Sequence, residues 1–144
     1  MKQHNYDVFL QAIIDINGNI CRNIIAAIDN LKIYPEFCEY FTTQLTNLTK
    51  DLIRKVGEFD LSDGKYKVNK EVFKLYWCLE TIYQFTNSIN SAILKEILQE
   101  TKSVGDYTIR EKTAKILSKL TCDEDLNEIK LQLKNDKNYY VRRF

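Results

Sequence analysis

The chain has 144 residues, of which 44% are hydrophobic and 28% charged, and its formal net charge is +1 at pH 7. A domain of this length can bury roughly 70% of the surface of its unfolded chain. The ordinary globular composition argues against intrinsic disorder, and the near-zero net charge argues against a strong, sequence-independent nucleic-acid binder.

The N-terminal stretch and the cysteines indicate a cytoplasmic protein. Gln11, Asp15 and Asn17 interrupt the first apolar stretch, so it does not form the core of a signal peptide. No window approaches the roughly 18 apolar residues of a membrane-spanning helix. The cysteines are far apart, without a C-x-x-C pair or a neighbouring His, and we expect buried reduced thiols. They are Cys21, Cys38, Cys78 and Cys122.

The first segment carries one apolar face that continues to Leu31. Its members recur at steps of three and four residues, as on one side of an α-helix. They are Phe9, Ile13, Ile16, Ile20, Ile24, Ala27 and Leu31. The sequence Asn17-Gly18-Asn19 interrupts the series, although a Gly costs a helix interior only about 1 kcal/mol. One kinked helix and two short helices both fit the pattern.

Two longer helices follow. Pro35 suits the first turn of a helix, because its missing N–H needs no partner there. The apolar residues after it are Phe37, Phe41, Leu45, Leu48, Leu52 and Val56. Residues 57–68 include SDGK and predict a loop. Asn69 is then placed to cap a helix that we expect to be central and most buried, because apolar residues surround it. They are Val72, Phe73, Tyr76, Trp77, Leu79, Ile82 and Tyr83.

Three shorter helices are predicted in the C-terminal part. Two of them cover residues 91–102 and 109–120. The T-x-x-E pattern of a capping box begins at Thr108 and again at Thr121, and each predicts a helix start. The last full helix carries Leu126, Ile129 and Leu133. No segment alternates with the period of a β-strand.

The final ten residues, NDKNYYVRRF, have the pattern of a turn between two paired helices. Asp136 is followed by Val141 and Arg142, which resembles the inter-helix turn of a HEAT repeat. Upstream, GDYTIREKTAKILSKL resembles the same turn with its second helix intact. Its matching residues are Asp106, Ile109, Arg110, Ala114, Leu117 and Leu120. The 32-residue separation of the Ile and Val positions is compatible with helix-pair repeats, although shorter than the usual HEAT length.

The resemblance covers residues 91–144 and includes a departure from a regular repeat. Asp106 stands four residues before its Arg, whereas Asp136 stands six residues before its own. The resemblance implies that these Asp and Arg side chains are mostly structural. A carboxylate accepts N–H groups left unpaired at a helix end, and an Arg bridges neighbouring repeats.

We therefore predict an all-α fold of about six to eight helices, either an irregular bundle or a short HEAT-like α-solenoid. Residues 1–144 are expected to form a single domain. Within it, residues 1–90 show no clear repeat and residues 91–144 contain the HEAT-like helix pairs.

The residues typical of catalytic and metal sites are missing. The only histidine is His4, and no phosphate-binding, dinucleotide-binding or zinc-protease motif occurs. Residues 60–71 superficially resemble a calcium loop, but the ligand spacing is wrong. Carboxylate pairs on one helical face are ordinarily solvated charge. Such pairs are Glu36 with Glu39 and Glu96 with Glu100. We predict a non-enzymatic protein without cofactor or metal.

The C-terminal part is basic. Ten basic and seven acidic residues give residues 102–144 a charge of +3, whereas six basic and eight acidic residues give residues 1–60 a charge of −2. Lys112, Lys115 and Lys119 recur at helical spacing, and we expect them opposite the apolar face. In a solenoid, second helices line the concave surface. The stripe would then present cations there together with Arg142 and Arg143.

Three interpretations of these cations stay open. An acidic protein could bind them, with Tyr139, Tyr140 and Phe144 as aromatic anchors. A nucleic-acid backbone could bind instead, as in the HEAT-like DNA glycosylases that this end distantly resembles. An exposed lysine face that only confers solubility also fits. The near-zero net charge favours a protein partner.

Small helical proteins without catalytic groups include bacterial immunity proteins and antitoxins, which cover the active surface of a toxin. By this analogy of size and type we expect an inhibitor of that kind. Its partner would be a basic or mixed-charge enzyme facing the acidic N-terminal half, or an acidic one facing the C-terminal half.

Overall fold

A computed structural model describes residues 3–58 and 65–144, with the side chains of residues 6–57 and 70–144. These described ranges contain eight α-helices and no strand, which confirms the all-α prediction. The chain divides into two compact units, of which the first ends at Ile89 and the second is Asn90–Phe144. The single-domain assignment of residues 1–144 stays a prediction.

The first unit has an aromatic core. Its helices are α1 (Gln3–Ile13), α2 (Gly18–Ile28), α3 (Pro35–Glu58) and α4 (Lys65–Gln84), with 3₁₀ turns at Asp29–Ile33 and Thr86–Ser88. Phe37 and Phe41 stack with ring centroids 5.0 Å apart, and Phe85 lies 5.3 Å from Phe41. All three rings are buried, so α3 is anchored by large apolar side chains.

The segment before α3 consists of two helices rather than one kinked helix. The side-chain oxygen of Asn17 accepts a hydrogen bond from the backbone N–H of Asn19 at 2.9 Å and caps α2. Because this break resets the helical phase, Ile16 and Ile20 are exposed, and the single continuous face is wrong. The buried residues of α2 are Cys21, Ile25 and Ile28.

Helices α3 and α4 begin and end differently from the prediction. Pro35 is the first residue of α3, as predicted, but the helix continues through Gly57 to Glu58. Helix α4 starts at Lys65, so Asn69 lies inside it and is not its cap. The predicted loop at residues 57–68 is therefore wrong at both ends. Its middle, residues 59–64, lies outside the described part of the chain.

The second unit has an aliphatic core. It contains α5 (Ser91–Thr101), α6 (Tyr107–Lys119), α7 (Glu124–Lys134) and the short α8 (Tyr139–Arg142). All four helices contribute to the core. The buried aliphatic residues are Leu94, Ile97, Leu98, Ile109, Ala114, Ile116, Leu117, Leu126, Ile129, Leu133 and Val141.

Aspartates, not threonines, cap α6 and α7. Asp106 accepts from the backbone N–H of Thr108 at 2.8 Å, and Asp123 accepts from that of Leu126 at 2.9 Å. The predicted capping boxes at Thr108 and Thr121 are therefore wrong by two residues each. An ionised carboxylate accepts more strongly than a hydroxyl and also interacts favourably with the helix dipole.

The four cysteines are free thiols, and the predicted burial is confirmed for three of them but is wrong for Cys122. Cys21, Cys38 and Cys78 are buried in the first unit, and Cys122 in the second is partly exposed. Burial raises the pKa of the Cys78 thiol to about 12. This thiol is therefore protonated and unreactive at neutral pH.

Candidate partner-binding surface

Buried residues occupy more than half of the circumference of helix α6. The predicted lysine stripe is therefore not exposed along its whole length. At about 100° per residue, Lys112 lies only about 60° from Ile109 and about 40° from Ile116. Lys112 is 8% exposed, Lys115 is partly buried and Lys119 is exposed. Lys112 therefore flanks the apolar face instead of lying opposite it. The prediction of one exposed stripe is wrong for Lys112.

Three exposed tyrosines form one surface in the second unit, here called the tyrosine surface: Tyr107, Tyr139 and Tyr140. They are 41%, 64% and 51% exposed. The ring of Tyr140 stacks on that of Tyr107 at 6.2 Å between centroids and meets that of Tyr139 edge-on at 5.7 Å. The helix starts of α6 and α8 thus bring these rings together.

Arg143 adds a cation to the tyrosine surface. The central carbon of its guanidinium lies 5.6 Å from the Tyr140 ring centroid and 4.9 Å from that of Phe144. Its Nη2 lies 3.2 Å from a carboxylate oxygen of Glu111. The Lys134 ammonium donates to the main-chain oxygen of Phe144 at 2.9 Å. The predicted residues Tyr139, Tyr140, Arg143 and Phe144 therefore lie together.

Helix α8 has only four residues and is positioned by contacts at its start. Asn138 caps it, because its side-chain oxygen accepts from the backbone N–H of Tyr140 at 2.9 Å. Val141 is buried in the core of the unit. The guanidinium of Arg142 donates to the backbone carbonyl of Asp136 at 2.8 Å. Arg142 thus closes the turn before α8, while the rest of its side chain is exposed.

A buried ion pair links the two inter-helix turns of the second unit. Arg110 binds Asp136 with two hydrogen bonds, Nε to Oδ2 at 2.7 Å and Nη2 to Oδ1 at 3.2 Å. The two side chains are 9% and 11% exposed. Arg110 Nη1 also donates to the carbonyls of Val104 and Gly105, at 2.9 Å each. The hydrogen bonds that the Arg110 guanidinium donates to Asp136 lower the pKa of the Asp136 carboxyl.

The turns before α6 and α8 have the same residue spacing, but their equivalent residues are not the ones predicted from the sequence. Asp106 caps α6 four residues before Arg110, and Asn138 caps α8 four residues before Arg142. The equivalent of Asp106 is therefore Asn138, and that of Arg110 is Arg142. The members of each equivalent pair are 32 residues apart. Asp136 has the separate role of binding Arg110.

Sequence reasoning missed Tyr107. It stands 32 residues before Tyr139 and occupies the same first position of its helix. The 32-residue spacing therefore indicates that the two tyrosines begin equivalent helices. It did not reveal that Tyr107 stacks on Tyr140, because that contact joins residues 33 positions apart.

Within residues 3–58 and 65–144 there is no group of three or more His, Cys, Asp and Glu residues arranged to hold a metal ion. No helix in these ranges is long and apolar enough to cross a membrane. The His4 side chain and residues 60–64 of the calcium-like sequence lie outside the described residues.

Comparison with protein-family models, with curated proteins and with solved structures found no match to this chain. The eight helices are compatible with a helical-repeat arrangement. Membership of the HEAT family stays a prediction.

Proposed function

We propose that this protein is a non-enzymatic module that binds another protein through the tyrosine surface of its second unit. The observation that carries the proposal is the exposure of three contacting tyrosines, each 41% exposed or more. Tyr and Arg are enriched among residues that dominate binding energy, and clustered exposed apolar area often marks an interaction site. Arg143 against Tyr140 supplies the charged member of such a site.

The partner should present apolar pockets together with carboxylates. Arg142 and Arg143 are exposed beside the tyrosine surface, and Lys119 is exposed on α6. Charges of one sign favour a partner of opposite sign and accelerate its association. We further propose that the protein covers a functional surface of its partner, as immunity proteins and antitoxins do.

We also propose that Asn90–Phe144 is a short HEAT-like arrangement of helix pairs. The equal spacing from Asp106 to Arg110 and from Asn138 to Arg142 supports it. The Arg110–Asp136 pair supports it as well, because it joins consecutive turns as an Arg does between neighbouring repeats.

Nucleic-acid binding has weaker support. It depends on a row of exposed lysines on α6, and Lys112 is buried. Phosphate binding would appear as a mobility shift that weakens steeply with salt and is lost in Lys115→Glu/Lys119→Glu.

Capture of a partner on the tagged full chain, from an extract of its source organism, tests the proposed function. We expect one stoichiometric protein partner. With that partner purified, titration calorimetry on Tyr139→Ala/Tyr140→Ala should show affinity at least about 30-fold weaker than wild type, as for the loss of a hot-spot residue.

The matched control is Leu131→Ala, which removes an exposed apolar side chain from α7. It should bind like the wild type, and both variants should keep the wild-type melting temperature. A partner that binds the tyrosine variant with unchanged affinity would contradict the proposal, as would a chain that captures no partner.

A further inference from the structure

A groove in the first unit has features that the proposed function does not use. Two adjacent cavities lie along the start of α3. The larger, of about 530 Å³, is lined by Tyr6, Leu31, Tyr34, Pro35, Glu36 and Phe37. The smaller, of about 270 Å³, is lined by Glu36, Glu39, Tyr40 and Thr43. Both cavities share Glu36 and form one surface, here called the α3 groove.

The local sequence explains why the groove is open. The 3₁₀ turn Asp29–Ile33 ends at Tyr34, whose extended backbone leads into Pro35 at the start of α3. Tyr34 is exposed at the rim. The floor is aromatic, because the Tyr6 ring packs edge-on against Phe37 at 5.0 Å between centroids. The groove thus combines a buried aromatic floor with an exposed wall.

The charged groups of the groove are carboxylates. Glu36 and Glu39 line it and are exposed. Asp7 lies beside them, because it accepts a hydrogen bond from the Tyr40 hydroxyl at 3.1 Å. The cation Lys32 is bound to Asp29 at 2.5 Å and lies 5.1 Å from the Phe85 ring centroid. No cation is among the described residues that line either cavity.

We propose that the α3 groove binds a short basic segment of another protein. The alkyl stem of a Lys or Arg would lie on Tyr34 and Pro35, and its cation would meet Glu36 and Glu39. Long basic side chains combine these two needs, and aromatic rings also attract cations. An acidic segment or a phosphate backbone would be repelled by the same carboxylates.

The length of the groove favours a peptide over a small amine. From Pro35 to Thr43 the helix rises about 12 Å at 1.5 Å per residue. An extended chain covers that distance with about four residues. In an extended segment that alternates apolar and basic residues, every second side chain faces the groove. The segment would therefore place one basic side chain in each cavity. This inference is independent of the tyrosine surface, which belongs to the other unit and carries the opposite charge.

Backbone amide spectra of the ¹⁵N-labelled full chain test the inference. Three probes are titrated: acetyl-Leu-Arg-Leu-Arg-amide, its charge-reversed form acetyl-Leu-Glu-Leu-Glu-amide, and arginine amide. We expect the basic peptide to shift the amides of residues 33, 34 and 36–43 in a saturable way and the acidic peptide to leave them unchanged. Binding should weaken with salt, since exposed ion pairs are screened.

The variant Glu36→Gln/Glu39→Gln should weaken binding of the basic peptide by about fivefold, because two exposed ion pairs are lost. The matched control Glu96→Gln/Glu100→Gln changes the charge equally on α5 and should bind like the wild type. Both variants replace exposed side chains, so unchanged melting is the check on folding.

Three outcomes would overturn the inference. The basic peptide could leave residues 33–43 unshifted, or both peptides could bind equally, which would indicate apolar contact alone. Arginine amide could bind as tightly as the tetrapeptide, which would indicate a small-molecule site. Loss of partner binding in the tyrosine variant leaves this test unaffected, so the two proposals fail separately.

Discussion

In the first unit three phenylalanine rings lie together in the core, whereas in the second unit every aromatic side chain is at least partly exposed. The second unit instead relies on aliphatic packing and on the buried Arg110–Asp136 pair. Large rings that are not needed for the core are available on the surface for a partner. The comparison shows that both units have a buried core, aromatic in the first and aliphatic in the second, and that the second adds directed polar contacts.

The largest expected effect is on the aromatic core. Phe41→Ala should lower the free energy of unfolding by about 3–5 kcal/mol, because it removes a fully buried ring that contacts Phe37 and Phe85. Urea unfolding followed by the fluorescence of Trp77, the single tryptophan, reports on this unit. Ile33→Ala, at an exposed site, should change the free energy by less than about 0.5 kcal/mol. Equal effects of the two variants would contradict the conclusion that the buried aromatic core stabilises the first unit.

The ion pair of the second unit should rank next. Asp136→Ala leaves the guanidinium of Arg110 buried without its carboxylate, which should cost about 3 kcal/mol. Urea unfolding and hydrogen exchange at the Ile109 and Val141 amides measure the loss. The control Asp125→Ala removes an exposed partner of Lys95 and should cost at most about 1 kcal/mol. A cost no greater than that of the control would mean that polar contacts do not shape this unit.

The same pair predicts a pH dependence. The pKa of Asp136 is lower in the folded protein than its ordinary value, so the pair stabilises the fold above the unfolded pKa of about 3.9. This stabilisation is lost as the pH falls through the folded pKa. The difference in unfolding free energy between wild type and Asp136→Asn should therefore shrink below about pH 4. Asp51 and Asp123 also have lowered pKa values, but both proteins share them. A difference that is constant down to about pH 2 would contradict the assignment.

A smaller effect is expected from two buried threonines. The hydroxyl oxygens of Thr101 and Thr113 lie 2.8 Å apart, and that of Thr113 also lies 2.8 Å from the Ile109 carbonyl. Because Thr113 has one hydroxyl hydrogen, Thr101 donates to Thr113, which donates to the carbonyl. Thr113→Val should cost about 1–2 kcal/mol by leaving the Thr101 hydroxyl unpaired. In the double valine variant the cost should be less than the sum of the two single costs, and strict additivity would refute the pairing.

The smallest effect concerns the cap of α8. Asn138→Ala should cost about 1 kcal/mol, because the N–H of Tyr140 loses its acceptor. Denaturation and the chemical shifts of Tyr139 and Tyr140 are the measurements. Asn138→Asp restores an acceptor and should behave like the wild type. If both variants left these tyrosine signals unchanged, the cap would not position the tyrosine surface.

Much of the helical architecture was predictable. Pro35 and the residues at 91–101 were placed correctly, because helix formation depends on local backbone preferences and apolar spacing. The failures lie at breaks. The predicted core face includes Ile16 across a turn that resets the helical phase, and the predicted cap Asn69 lies inside a helix that begins at Lys65. The local sequence marked a break at Asn17-Gly18-Asn19, but it left one kinked helix and two helices both open, and that choice decides the phase of the helix that follows.

The candidate surface, too, was only partly predictable from the sequence. The sequence by itself determined that aromatic and basic residues are concentrated near Tyr139 and Arg143, since composition and spacing are local properties. Only the tertiary structure decided that Lys112 is buried, that Tyr107 joins the tyrosine surface, and that Asp136 binds Arg110. Burial and pairing depend on which helix faces meet in space, and those contacts connect residues far apart in the chain.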